Sequence, residues 1–326
     1  MAGKNLYLVA ALVILAACSE NSTSPNGTID ATHSVTGNPI LGAAFWIDPS
    51  SNAKVIATAW RPTRPADAAQ MDKIASGSQA QWFGGWDGDI LAAVNSAVGT
   101  AAASHATPIL VAYNIPQRDC GGLSAGGTTV DGYKTWIAAF ANGLAGRKAV
   151  VILEPDALTQ MDCLSAADQT TRFNLIQYAV QVLRAQGGVV YLDGGHSAWR
   201  SPSDQAARLT RANVAAADGF ALNVSNFQYT SNSVAYGKAI SALIGGKHFV
   251  IDTSRNGLGP TADNQWCNPA GRALGPASTT STADPLVDAY LWIKAPGESD
   301  GSCNGAPAAG QWWPEYALGL AQRSTL

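Results

Sequence analysis

Ala149-Val150-Val151-Ile152-Leu153-Glu154-Pro155-Asp156 is the stretch that decides the fold. Along an extended chain, successive side chains point to opposite faces, so the unbroken run Val150 to Leu153 needs both faces buried. That pattern marks a strand of a parallel sheet with covered faces, not an antiparallel strand with one face in water. Pro155 has no N–H to continue a ladder, and two acids, Glu154 and Asp156, stand where the strand ends.

Similar runs lie on both sides, at 43–47, 80–83, 108–115, 188–192, 219–224, 247–251 and 288–293. Longer segments of helical period separate many of them. In 170–186, Phe173, Ile176, Val180 and Leu183 recur at steps of three and four, and Gly187-Gly188 follows. Segments 133–144, 203–216, 233–243 and 312–322 read the same way. Strand–helix units repeated over about 280 residues imply a parallel α/β barrel or a doubly wound sheet. No fixed-length repeat is present, which argues against a solenoid.

The chain opens differently. Lys4 and an apolar run from residue 6 to 17 form a stretch too short to span a bilayer as a helix, as in a signal peptide. The run ends Leu15-Ala16-Ala17-Cys18 and turns polar. This resembles a bacterial lipoprotein signal, in which Cys18 is lipidated; an ordinary secretory signal is the alternative. The expected organisation is a signal peptide at 1–18, a Ser/Thr/Asn/Gly/Pro tether at 19–38 and one domain at 39–326. Export makes Cys120, Cys163, Cys267 and Cys303 candidates for disulfides, since no CxxC and no spaced His points to a metal. Four cysteines admit three pairings. Joining near neighbours closes loops of roughly 40 residues, each worth about 4 kcal/mol in the chain-entropy model.

Composition narrows the ligand. Of 326 residues only 13% are charged, while Trp numbers ten. An average soluble domain carries roughly 25% charged residues. A net charge of -3 without a basic cluster argues against nucleic acid. Against that sparse background, acids and amides follow strand after strand: Asp119, Glu154 and Asp156, Asp193, Asn223 and Asn226, Asp252, then Glu298 and Asp300 beside Lys294. Strand C-terminal ends are where a βα barrel carries its chemistry. Each acid alone is more commonly a helix cap or turn former. Together they put several carboxyl groups on one concave face, where crowding separates their pKa values and allows one acid and one base. Two such groups flanking a glycosidic bond are the minimum for its hydrolysis. HExxH, GxSxG and phosphate-loop motifs are absent, and of four His only His196 falls on this face. Flat Trp rings suit the CH faces of sugars. Trp199 and Trp266, in Gly- and Pro-flanked loops beside the acids, are expected to stack on ligand. Trp136, Trp312 and Trp313 are expected in the core.

At these motifs the sequence resembles glycoside hydrolase family 6, the inverting cellulases that cut β-1,4-glucan. The resemblance rests on Val111-Ala112-Tyr113-Asn114-Ile115-Pro116-Gln117-Arg118-Asp119-Cys120-Gly121 and on Val151-Ile152-Leu153-Glu154-Pro155-Asp156-Ala157-Leu158. Segments 193–199 and 294–301 and the Trp266-Cys267-Asn268-Pro269 turn add to it. The resemblance implies a distorted seven-stranded parallel βα barrel. Eight strand candidates then leave one surplus, with 80–83 the one expected to be peripheral. It also implies Asp156 as general acid, with Asp119 as its nearest acidic partner and part of a proton relay from the attacking water. Asp300 falls at the position proposed as base, and Tyr113 and Ser124 at positions that hold the water and the distorted sugar. Trp60, Asp193, His196, Trp199, Asn226, Trp266, Lys294 and Glu298 fall at or near sugar contacts. The implied partner is a β-glucan polysaccharide or oligosaccharide, met by a monomer without cofactor or metal. The membrane would be reached only through a lipid at Cys18, and no separate carbohydrate-binding module is expected. Short loops after Cys120 and between Cys267 and Cys303 resemble the open-cleft, endo-acting form; an exo-acting enzyme and a non-catalytic glycan-binding barrel are the alternatives.

Overall fold

A computed structural model describes residues 1–3 and 37–326. The leader reading, Cys18 and most of the tether lie outside the described residues. The elements run α1 (Asn52–Trp60), α2 (Pro65–Ala75), β1 (Gln81–Phe83), α3 (Ile90–Ala103), β2 (Ile109–Ala112), α4 (Val130–Leu144), β3 (Ala149–Leu153) and α5 (Ala166–Ala185). They continue with β4 (Gly188–Asp193), α6 (Pro202–Arg211), β5 (Gly219–Leu222), α7 (Thr230–Leu243), β6 (His248–Asp252), β7 (Val287–Leu291) and α8 (Pro314–Gln322).

Seven strands form one sheet in chain order, every neighbour parallel. The two ends meet through a short seam. Gln79 bridges Trp292, Ala80 N–H donates to Trp292 O at 2.9 Å, and Trp82 Nε1 donates to Ile293 O at 2.8 Å. The result is a distorted seven-stranded βα barrel. Segment 80–83 is therefore a true strand and part of the closure. The surplus candidate is 43–47, which among the described residues makes one isolated parallel bridge, Phe45 to Thr107.

The strand residues divide by alternation as a two-faced sheet requires. Val111, Val150, Ile152, Tyr191, Val250 and Leu291 pack with Ile40 in one cluster inside the barrel. Leu110, Val151, Leu153, Val190, Leu192, Phe220 and Phe249 pack outward in the layer under the helices, with Phe140, Phe173 and Leu183. A third cluster unites α1, α2 and α8 around Trp292, which is fully buried. Trp136, Trp312 and Trp313 pack against these clusters as expected.

Helix starts follow side-chain caps that the apolar period alone does not reveal. Thr129 accepts from Gly132 N–H and Ser165 from Asp168 N–H, so α4 and α5 begin a few residues ahead of their periodic stretches. Helix α6 stops at Arg211, short of the expected 216, because Asn213 takes a left-handed φ of 61°, a conformation that ends helices. The cysteines pair as near neighbours, Cys120–Cys163 and Cys267–Cys303, closing separations of 43 and 36 residues.

Candidate active site

The helix caps decide between the two readings of the strand-end acids. Ser51, Asp89, Thr129, Ser165 and Ser201 cap helices through their side chains. None of Asp119, Asp156, Asp193, Asp252 and Asp300 does. Their carboxyl groups converge instead at the C-terminal ends of the strands.

The loop after β2 carries Asp119, Ser124 and, at its root, Tyr113. Asp119 sits in the left-handed region at φ 55°, uncommon for a residue with a Cβ. Its Oδ2 accepts from Ser124 N–H at 2.8 Å and from Ser124 Oγ–H at 2.9 Å. Tyr113 OH lies 3.0 Å from Ser124 Oγ, giving a chain Tyr113–Ser124–Asp119. Glycine makes room at two points of this loop. A Cβ on Gly122 would come 2.5 Å from Asp119 Oδ2, and one on Gly127, where φ is +88°, would overlap Ile115 O. Arg118 holds the loop from beneath, donating to Tyr113 O at 2.6 Å, Ser124 O at 2.9 Å and Ala125 O at 3.2 Å.

Asp156 follows β3, also left-handed at φ 69°. Burial, then the charges of Asp193, Asp119 and Asp300 in that order, hold its carboxyl well above the ordinary carboxylate range. Asp193, at the end of β4, is thus a stronger influence on Asp156 than Asp119, contrary to expectation. The reason is local: Asp193 Oδ2 accepts Asp156's own N–H at 3.0 Å and Gly195 N–H at 3.2 Å. Burial pushes Asp193 itself up to about 7 against the opposing pull of those two donors. Of the pair, Asp156 accepts from no such donors among the described residues, and every cause acting on its carboxyl raises it. His196, just beyond β4, is drawn down to about 4 by burial and is neutral at neutral pH.

Asp300 belongs to a buried ionic set. Its Oδ2 accepts from Arg255 Nη1 at 2.8 Å and from Asn268 N–H at 3.0 Å, while Lys294 Nζ lies 3.9 Å from Oδ1. Arg255, fully buried, also donates to Ser225 O and stacks 4.4 Å from the Phe227 ring centre. Lys294 Nζ reaches Ser299 O at 3.2 Å and Glu298 Oε2 at 3.9 Å. Burial raises Glu298 in spite of Lys294 and Arg255 beside it. Asn226 uses its Oδ1 to accept Phe227 N–H at 2.9 Å. Asp252 is structural: its carboxylate takes N–H bonds from Ser225, Ser254, Ile293 and Lys294, joining the ends of β5, β6 and β7. The Asp300 and Asp119 loops touch, since a Cβ on Gly301 would meet the Leu123 side chain at 2.6 Å.

Among the aromatic candidates, Trp199 and Trp266 are exposed by 38% and 53%, well above what core packing leaves. Trp199 leans on His196, ring centres 5.5 Å apart. Trp60 is not brought to the carboxyl groups. It packs against the α1–α2–α8 cluster, with Arg64 lying 3.8 Å over its ring. Two further rings lie here. Trp82 meets Tyr113 edge-on at 5.3 Å with Lys294 Nζ 5.7 Å from its ring, and Trp86, 57% exposed, lies 5.2 Å from the Arg118 guanidinium. Their placement at the end of β1 is the signal that reading 80–83 as peripheral discards. Among the described residues no group of three or more His, Cys, Asp and Glu is arranged to hold a metal ion.

Comparison with known proteins gives a consistent picture. The profile of glycosyl hydrolases family 6 matches residues 40–324. Endoglucanase A of Cellulomonas fimi is 45% identical over 285 residues, 86% of this chain and 62% of that one. Endoglucanase 1 of Streptomyces halstedii is 42% identical over 287 residues, 84% of this chain and 87% of that one. The endoglucanase Cel6 from Mycobacterium tuberculosis, solved with methyl-cellobiosyl-4-deoxy-4-thio-β-D-cellobioside, superposes with a TM-score of 0.84 at 46% identity, covering 88% of this chain and 99% of that one. The chain spans 62% of the length of the Cellulomonas relative.

Proposed function

The chain belongs to glycosyl hydrolases family 6, and from that premise we propose that it cuts β-1,4-glucosidic bonds within β-glucan chains, with inversion at the anomeric carbon. The observation that carries the reading is the placement of the Asp156 carboxyl at the end of β3, where burial and then Asp193, Asp119 and Asp300 raise it well above the ordinary carboxylate range. A carboxylic acid that keeps its proton near neutral pH is what the leaving glycosidic oxygen requires.

In this mechanism Asp156 passes its proton to that oxygen as the C–O bond breaks. A water attacks the anomeric carbon from the opposite face and must lose a proton. Ser124 Oγ, bonded to Asp119 and within 3.0 Å of Tyr113 OH, lies in line to position that water and lead its proton toward Asp119. Asp300 is the less suited acceptor, because Arg255 and Asn268 already occupy its Oδ2. We read it as the anchor that aims Lys294 toward substrate. Lys294, Glu298, Asp193, His196 and Asn226 line the sugar path, and the open rings of Trp199 and Trp266 supply the stacking surfaces. Rings so exposed favour an open cleft and endo action over a roofed tunnel. Residues 39–326 form the catalytic domain in this reading, and export with a lipid at Cys18 is the proposal for the leader.

The test is a panel of carboxymethylcellulose, mixed-linkage β-glucan and xylan with wild type and Asp156→Asn. Endo action predicts viscosity loss far ahead of reducing-sugar release, and inversion predicts an α-anomer as the first product by NMR. Loss of the general acid predicts a roughly 10²–10⁴-fold fall in kcat. Near-normal hydrolysis by Asp156→Asn would sink the assignment, and processive cellobiose release would replace endo with exo action.

A further inference from the structure

The proposed reaction needs Asp119 and Asp156 at a fixed separation, yet they sit on different loops, after β2 and after β3. One side chain bridges those loops from behind. Arg172, in the second turn of α5, is 4% exposed. Its Nη2 donates to Pro116 O at 2.6 Å and Gln117 O at 3.0 Å, just ahead of Asp119. Its Nη1 donates to Ala157 O at 3.3 Å and Gln160 O at 3.4 Å, on the segment that Asp156 opens. A planar guanidinium presents donors in a rigid fork, which lets one group hold four carbonyls on two stretches of chain; an ammonium has no such geometry.

We propose that Arg172 is a positioning residue for catalysis, a clamp that sets the distance between the Asp119 and Asp156 carboxyl groups. The proposal rests on reading those two as the reacting pair. The surroundings agree with a fixed clamp. Among the described residues Arg172 makes no short-range side-chain salt bridge, and the groups facing it are Glu154, Tyr133 and Asp168. Glu154 is itself pinned by Asn114 and Ile115 N–H at 3.0 and 3.1 Å, on the root of the Asp119 loop. The Cys120–Cys163 disulfide ties the same two loops farther out, so the clamp and the disulfide are parallel connections.

Arg172→Lys keeps the charge that Glu154 faces but cannot reach all four carbonyls. It is expected to lower kcat by roughly 10–100-fold, the scale of a misplacement near 1 Å, with KM within about twofold. A purely structural role would not move the pH profile; this one should. Asp156 faces Asp193, Asp119, Asp300 and Tyr113. Drawing Asp119 away removes part of the repulsion that keeps Asp156 protonated, so the alkaline fall of kcat moves to lower pH. A wild-type kcat and pH profile in a folded Arg172→Lys overturns the proposal.

The complementary variant, Cys120→Ser/Cys163→Ser, keeps the inference testable if Arg172→Lys fails to fold. With Arg172 intact, this variant is expected to lose thermal stability but keep kcat within about threefold and the pH profile unmoved. A kcat loss beyond tenfold there would assign the spacing to the disulfide and overturn the proposal. The controls separate the two readings. If Asp156→Asn is fully active, the catalytic assignment fails. If Asp156→Asn is inactive and Arg172→Lys is unimpaired, only the clamp fails.

Discussion

Replacing Arg255 by methionine isolates the buried ionic set at the end of β6. Arg255 is fully buried and Asp300 nearly so, with Nη1 and Oδ2 2.8 Å apart. Methionine fills similar volume and can still lie on Phe227, but it removes the positive partner. Asp300 would keep Asn268 N–H at 3.0 Å and Lys294 at 3.9 Å, too little to offset a buried carboxylate. Breaking one side of a buried pair costs about 3–5 kcal/mol. For a domain of this size that corresponds to a fall in Tm of roughly 10 °C. Arg255→Met/Asp300→Asn leaves no unpaired charge, and its amide can still accept from Asn268. The double variant should therefore recover at least about 2 kcal/mol relative to Arg255→Met, a positive coupling in the cycle. Urea or thermal unfolding of wild type, both singles and the double measures it. Single effects that simply add, or an Arg255→Met within about 1 kcal/mol of wild type, would refute the view of Asp300 as an anchored carboxylate.

Asp193→Asn should move the alkaline fall of kcat to lower pH, because it removes the largest acidic neighbour of Asp156; a pH–rate series checks the direction. Asp156→Asn should gain stability over wild type as pH rises. A carboxyl raised in the folded state contributes stability below its unfolded pKa and loses it as pH climbs through the folded value, whereas the amide does not titrate. Comparing Tm under mildly acidic and mildly alkaline conditions tests this, and an equal gap at both would count against the raised carboxyl. Cys267–Cys303 closes 36 residues. Its removal should cost about 4 kcal/mol in the chain-entropy model, read by chemical denaturation of wild type and Cys267→Ser/Cys303→Ser. Trp266→Ala should raise KM for oligosaccharides. Trp60→Ala should lower Tm with kcat/KM unchanged, since its ring packs against the helix cluster; the opposite outcome would return Trp60 to the sugar path.

What is legible in the sequence follows from periods and junctions. Val150 to Leu153 announces a strand covered on both faces, and the acids beyond successive strands announce the working end of the barrel. Helix α3 leaves a fainter mark: its buried residues Ile90, Val94, Val98 and Ala101 recur at steps of four and three, but Ala on the other face leaves that stripe little contrast. Trp60 is hard to place by sequence because a Trp near a turn reads alike whether its ring meets sugar or, as here, Arg64. Segment 80–83 is undervalued for its brevity: β1 has three residues, and its partner across the seam, Trp292, lies at the far end of the chain. The greater influence of Asp193 on Asp156 depends on one backbone N–H between adjacent strands, a contact that spacing does not encode.

The scarcity of charge acquires a second meaning once the arginines are located. Beyond the acids at the strand ends, several Arg side chains are turned onto backbone carbonyls of the very loops that carry those acids. Arg118 holds Tyr113, Ser124 and Ala125; Arg172 holds Pro116, Gln117, Ala157 and Gln160. Arg208 holds Leu158, and Arg200 holds Thr159 while also pairing with Asp162. Loops that leave a strand in left-handed steps, as at Asp119 and Asp156, expose carbonyls that no ladder satisfies. A donor with a fixed fork and a long apolar stem satisfies several of them at once, and lysine would not. The same sparse set of charges therefore divides its labour: carboxyl groups face the cleft, and guanidinium groups behind them fix where those carboxyl groups stand.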